Sequence, residues 1–166
     1  MKKYFFLLLF AFTLISSCTT EETTTYYLIR HAEKDRTDAT NPNPSLTIKG
    51  EQRAQNWAEY FKDKKIDAVY STKYYRTIET ATPTAKTKNL EVQFYNPRNM
   101  YDSIFMAETK GKSVLVVGHS NTTPVFANKI LGENKYENMD DNDNASLYIV
   151  TISENKKESK IEKVNE

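Results

Sequence analysis

Residues 113–118 read Ser113-Val114-Leu115-Val116-Val117-Gly118, and the fold follows from this run. Its unbroken apolar stretch leaves no polar side, so the strand it forms must be covered on both faces, as a central strand of a parallel sheet is. Parallel strands need crossover connections, usually helical, and the sequence on either side supplies them. Downstream, Thr122 to Leu131 reads as a helix closed by Gly132. A polar, acidic loop fills 133–144, and Ser146 to Ile152 is a last strand. Upstream, residues 99–110 look helical and end at Gly111. Leu90 to Tyr95 alternates apolar and polar like a half-buried strand. Tyr74 to Lys86 is a helix with Pro83 inside it, a kink or an early end. Ile66 to Tyr70 is another strand. Thr47 caps a helix through Lys62, in which Ala54, Trp57, Ala58 and Phe61 sit at the i, i+3, i+4, i+7 spacing of one apolar face. A polar loop with Pro42 and Pro44 separates that helix from the first strand, Tyr26-Tyr27-Leu28-Ile29. Strands alternating with helices, without an internal repeat, define an α/β chain: a three-layer α/β/α sandwich around a mostly parallel sheet.

The ends of the chain read differently. Lys2 and Lys3 precede an apolar run from Tyr4 to Ile15, too short to span a bilayer comfortably. Ile15-Ser16-Ser17-Cys18 resembles a bacterial lipobox, and Cys18 is the one cysteine in the sequence. An unpaired cysteine in an exported chain is accounted for by lipid attachment. Residues 1–17 are therefore read as a lipoprotein signal peptide, and 18–25, rich in Thr and Glu, as a flexible tether. Residues 26–152 form the domain, and 153–166 a charged, frayed C-terminal tail. Thr19, rather than Asp, follows the cysteine. The expected location is the bacterial cell envelope, lipid-anchored at the outer membrane and facing away from the cytoplasm.

Composition excludes some functions. The whole chain carries 23 basic and 22 acidic side chains, so no basic excess marks a nucleic-acid surface. With two histidines and Cys18 lipidated, the usual zinc ligands cannot be assembled. No metal and no cofactor is expected. Asp140 to Asn144 looks faintly like a calcium loop, but Ala145 stands where the loop needs glycine and no Glu closes it.

Both histidines follow apolar strand runs. His31 comes after Tyr27-Leu28-Ile29-Arg30, and His119 after Val114 to Gly118. Ligands of open α/β sheets bind at the carboxyl ends of strands. Arg30 adjoins His31, and Arg76 lies a few residues past the second strand. Their planar guanidinium forks match phosphate oxygens, and an imidazole that is largely neutral near pH 7 can serve as nucleophile. Tyr74 and Tyr75 are placed to line the mouth of such a pocket.

These motifs resemble a known family. Arg30-His31-Ala32-Glu33 is similar to the Arg-His-Gly-Glu signature of the histidine phosphatase superfamily, in its phosphoglycerate-mutase-like branch. Arg76-Thr77-Ile78-Glu79-Thr80-Ala81 resembles the second motif, an Arg followed by Thr-Ala, and Gly118-His119-Ser120-Asn121 the late Gly-His motif. Leu46-Thr47, Gly50 and Gln52 resemble the family's helix opening. The resemblance spans about 26–152 and implies a phosphoglycerate-mutase-like fold. It makes His31 the phosphoryl acceptor, Arg30 and Arg76 the holders of the phosphoryl oxygens, and His119 a further hydrogen-bond donor. Water would then hydrolyse the phosphohistidine without a metal. Glu33, Ser120 and Asn121 are expected to touch substrate.

Two departures stand out. Ala32 replaces the usual glycine, and the glutamate that protonates the leaving oxygen in many members has no matching motif. Glu33, Asp102 and Glu108 are the candidates for that acid. The resemblance therefore implies a compact phosphatase acting on a phosphorylated small molecule or phosphoprotein. A phosphate-binding lipoprotein without turnover is the reading of another class. A phosphoglycerate-type mutase is disfavoured by the short domain. Asn121-Thr122-Thr123 fits a glycosylation pattern but overlaps the Gly-His motif.

Overall fold

The computed structural model describes residues 22–164. Along the chain run β1 (Thr24–Arg30), α1 (Ile48–Phe61), β2 (Ala68–Ser71), α2 (Tyr75–Thr87) and β3 (Val92–Phe94), then α3 (Ser103–Thr109), β4 (Ser113–Gly118), α4 (Thr122–Leu131), β5 (Ser146–Ser153) and β6 (Lys156–Lys163). The six strands form one sheet in the order β3-β2-β4-β1-β5-β6. The first four in that order are mutually parallel, β5 runs antiparallel to β1, and β6 antiparallel to β5.

The apolar run of β4 is buried on both sides, as its composition requires. Val114 and Val116 pack with Tyr26, Leu28, Phe105 of α3 and Phe126 and Ile130 of α4. Leu115 and Val117 pack on the other face with Ile29, Trp57 and Phe61 of α1 and Ala81 of α2. The apolar stripe of α1, Ala54, Trp57, Ala58 and Phe61, is buried throughout, each large side chain contributing about 1.5–3 kcal/mol by leaving water. Thr47 caps α1 by accepting from the Gly50 N–H at 3.1 Å. At the other end of the chain, Gly132 closes α4 in the left-handed conformation, φ 81°, which glycine adopts without strain. Pro83 sits inside α2 without ending it. α3 begins four residues later than expected because the Asp102 side chain caps it, accepting from the Phe105 N–H at 2.8 Å.

The domain is larger than 26–152 at both ends. Thr24 and Thr25, assigned above to the tether, already pair in β1, opposite Ile152 and Thr151 of β5. Threonine, branched at Cβ, suits a strand. The C-terminal tail is not frayed: 156–163 pairs along its length with β5 as the edge strand β6. Its Lys- and Glu-rich sequence hides the usual apolar alternation, and such charges are what keep an exposed edge from pairing with other chains. Val164 beyond it is buried in the core. Residues 1–21, which include the stretch read above as a signal sequence and Cys18, lie outside the described residues. Among the described residues, no helix is long and apolar enough to cross a membrane.

Gly50 sits where the loop after β1 crosses α1. A Cβ there would come within 2.2 Å of the Glu33 carbonyl oxygen, which also accepts from the Thr47 N–H at 2.8 Å. Gly50→Ala should therefore displace this loop and cost about 1–3 kcal/mol, as overpacking does. Denaturant unfolding of the purified variant checks it.

Candidate active site

The parallel register fixes the site. Arg30 of β1 lies opposite Gly118 of β4, and Ser71 of β2 opposite Val117. The residues that follow therefore leave three neighbouring strands at the same end of the sheet. The His31 and His119 rings meet at 5.5 Å between centroids. Tyr74 stands edge-on to His119 at 5.2 Å, and its ring lies 4.4 Å from the Arg76 guanidinium. All four predicted catalytic residues, Arg30, His31, Arg76 and His119, line one cavity of about 360 Å³, with Ser120 and Asn121 on its wall. A larger cavity of about 660 Å³, walled by Tyr26, Tyr101, Met106 and Ile152, lies at the opposite strand ends, away from these groups.

His31 is buried and held from several directions. Its Nδ1 lies 2.7 Å from the Ala32 carbonyl oxygen. A carbonyl only accepts, so the proton sits on Nδ1 and the Nε2 lone pair is free. The His31 N–H donates to the Gly118 carbonyl at 2.9 Å, and Asn144 Nδ2 donates to the His31 carbonyl at 2.8 Å. The Ala32 N–H donates to Thr80 Oγ1 at 2.9 Å, and Thr80 donates to the Arg76 carbonyl at 2.6 Å. The Thr of the second motif thus joins α2 to the residue that follows His31. His119 Nε2 lies 3.0 Å from Thr72 Oγ1, which in turn contacts Thr77 Oγ1 at 2.9 Å.

Burial pushes the His31 pKa down to about 3; the hydrogen bond to Ala32 opposes this, while Arg30, His119 and Arg76 add to the fall. Burial, then Arg76, Arg30 and Lys34, take His119 down to about 4. Both rings are neutral in the free protein. The guanidinium groups stay charged although burial lowers both. Arg30 Nη1 donates to the Asp140 and Asp143 carbonyls at 3.1 and 3.4 Å, and its Nη2 meets Asp141 Oδ1 at 3.4 Å. Arg30 Nε and Arg76 Nε and Nη1 are enclosed without a hydrogen-bond partner. Such donors cost about 1–3 kcal/mol each when unmet, and a tetrahedral oxyanion has the lone pairs to meet them.

The candidate acids fare differently. Glu33 is engaged away from the cavity centre: Arg53 grips its carboxylate at 2.9–3.0 Å and Lys49 approaches to 3.5 Å. Burial alone would raise its pKa, but the hydrogen bonds from Arg53 and from the Glu33 N–H, with the charges of Arg53 and Lys49, together outweigh burial and lower it. It does not line the cavity that holds both histidines but a smaller adjoining one of about 190 Å³, which it shares with Arg30, His31 and Asp141. Asp102 uses both oxygens in its cap and in accepting from Asn99 Nδ2 at 2.9 Å. Glu108 accepts from the Tyr70 hydroxyl at 3.4 Å. Neither reaches the cavity. Sequence reasoning missed Lys34, Arg36 and Asp141 on the wall and Asn144 behind His31, because the loop carrying the last two was read only as polar and acidic. Tyr74 lines the cavity. Among the described residues, no group of three or more His, Cys, Asp or Glu is placed to hold a metal ion.

Residues 26–96 match the model of the histidine phosphatase superfamily, branch 1. Solved structures share the fold at low identity. A mycobacterial glucosyl-3-phosphoglycerate phosphatase is 12% identical, aligns 78% of this chain with 90% of its own and has a TM-score of 0.59. An Agrobacterium tumefaciens protein assigned as the phosphohistidine phosphatase SixA is 20% identical over 76% and 90%, TM-score 0.57. A Bacillus anthracis phosphoglycerate mutase is 16% identical over 87% and 93%, TM-score 0.63. No curated protein sequence matches the chain. Residues 26–96 thus resemble the histidine phosphatase superfamily, and the solved structures show that the chain has the phosphoglycerate-mutase-like fold.

Because both imidazoles are held neutral, folding excludes protons that the unfolded chain binds below its ordinary histidine pKa of 6.5. Stability should therefore fall as pH drops from 6.5 towards the folded values of about 3 and 4, since the unfolded state binds more protons in that window. Unfolding midpoints followed across it should decline less steeply for His119→Asn, which carries one titrating ring fewer.

Proposed function

We propose that the chain is a metal-independent phosphatase that hydrolyses a phosphomonoester or phosphoprotein through a phosphohistidine on His31. One observation carries this reading: a neutral imidazole with Nδ1–H fixed to a carbonyl at 2.7 Å, in a cavity also walled by Arg30, Arg76 and His119. Nε2 keeps its lone pair for phosphorus. Arg30 and Arg76 offer positive charge to the equatorial oxygens, where charge stabilisation contributes most to phosphoryl transfer. His119, beside His31, takes up a proton when the dianion arrives and then donates to it, because a nearby negative charge favours the imidazolium. Ser120 and Asn121 contact the remainder of the substrate.

The phosphate-binding alternative shares this geometry and differs only in turnover. The domain is also proposed to be held at the cell envelope by lipid on Cys18. Support for this is the Ile15 to Cys18 sequence, and fatty-acid labelling lost in Cys18→Ser tests it.

A phosphomonoester panel assayed with soluble 22–166 should reveal turnover in the wild type and none in His31→Ala. Arg76→Lys keeps the charge but loses the fork; kcat/KM should fall by about 10²-fold, the scale for losing one charge-stabilising donor. Substantial activity in His31→Ala, or none in the wild type on any member, contradicts the reading.

A further inference from the structure

One carboxylate of the cavity has no part in the scheme above. Among the residues lining it, Asp141 is the sole carboxylate, set against Arg30, Lys34, Arg36 and Arg76. Its Oδ1 accepts from Ser120 Oγ at 3.0 Å and lies 3.4 Å from Arg30 Nη2. Its side chain is 71% exposed, so a bound substrate can reach it.

The loop that carries it is anchored. The Met139 N–H donates to the Ser120 carbonyl at 3.0 Å, and the Asn142 N–H to Asp140 Oδ1 at 2.7 Å. Asp143 accepts from the Ser146 hydroxyl at 2.6 Å and from Lys163 Nζ at 2.9 Å. Asn144 holds the His31 carbonyl. The same loop therefore fixes the nucleophile and presents a carboxylate on the wall of the cavity that both line. Placing Arg30 does not require that carboxylate, because the Asp140 carbonyl holds the guanidinium at the shorter distance of 3.1 Å.

We propose that Asp141 is the acid–base residue of the reaction, delivering a proton to the leaving oxygen and then receiving one from the attacking water. This rests on the phosphatase reading. The substrate enters as its monoanion and passes its proton to Asp141, while the dianion settles on Arg30, Arg76 and His119. In the free protein the Ser120 hydrogen bond, and after it Arg30, keep the Asp141 carboxyl low. Once phosphoryl oxygens occupy Arg30, the Arg30 part of that support is offset and the adjacent negative charge favours the protonated carboxyl. His31 Nε2 bonds to phosphorus as the bond to the ester oxygen breaks. The bonding pair leaves on that oxygen, which takes the Asp141 proton, and an alcohol departs. Water then attacks phosphorus and yields a proton to the Asp141 carboxylate. The N–P bond breaks, its pair returns to Nε2, and inorganic phosphate is released.

The test is leaving-group dependence. Wild type and Asp141→Asn are compared on aryl phosphates whose phenols range from strongly to weakly acidic. A leaving group that is stable as an anion needs no proton, whereas a poor one does. Read as the burst of phenol release, which reports transfer to His31 and not the later water attack, the expected result is the smallest loss on the most acidic phenol, rising to about 10²-fold or more on the least acidic. Inorganic phosphate should bind Asp141→Asn at least as tightly as wild type, because a negative charge beside Arg30 is gone. A uniform loss across the series, or weakened phosphate binding, would show that Asp141 only orients Arg30 and would overturn this proposal while leaving His31 as nucleophile. Failure of wild type on every aryl phosphate would instead remove the phosphatase reading and this proposal with it.

Discussion

The hydrogen-bond ladder between β1 and β4 is the constraint on which the rest depends. Side chains alternate between faces with a period of two, so a one-residue slip would turn every one over. The observed register, Arg30 opposite Gly118, does two things at once. It sends Val114 and Val116 to one helical layer and Leu115 and Val117 to the other. It also brings His31 and His119 out of adjacent strands within one ring contact of each other. Core and site are thus specified by the same pairing, and neither can be shifted without the other.

The site that results stores unfavourable electrostatics. Arg30 lies close enough to Arg76 to lower its pKa, and three nitrogens of the two guanidinium groups lack partners. Taking cations out of water costs several kcal/mol per ion even after relaxation. The surrounding structure bears that cost through the buried core and through the loop carbonyls that hold Arg30. A phosphoryl dianion reverses it: unmet donors gain acceptors and like charges gain a counter-ion. The neutral imidazoles fit the same logic, since a protonated His31 would add charge to an already positive cavity and lose the lone pair proposed to attack phosphorus.

Much of this was legible in the sequence. The apolar run at 113–118, the stripe of Ala54, Trp57, Ala58 and Phe61, and the position of both histidines after strands are local signals with one strong physical meaning each. Arg76 was legible through its motif, and its Thr80 proved to be the tie to Ala32. What was missed depends on long-range pairing. The strand at 156–163 carries no apolar alternation, because an edge strand is held by ladder hydrogen bonds to β5 and keeps charges outward. Asp141 and Asn144 are twenty or more residues from His119 and over a hundred from His31, in a loop whose composition resembles any solvated turn. Their roles appear only when the loop folds back over the strand ends. Glu33 misled for the opposite reason: it is adjacent to the nucleophile in sequence, yet Arg53 of α1 takes its carboxylate.

The central claim is that His31 itself carries the phosphoryl group. Rapid mixing of wild type with a labelled aryl phosphate, quenched without acid and digested, tests it most directly. The account predicts a phosphopeptide containing His31 that survives base and is lost in acid, as a phosphoramidate is, and that is absent from His31→Ala. Steady turnover with no phosphorylated protein at any time, or a label on another residue, would contradict it.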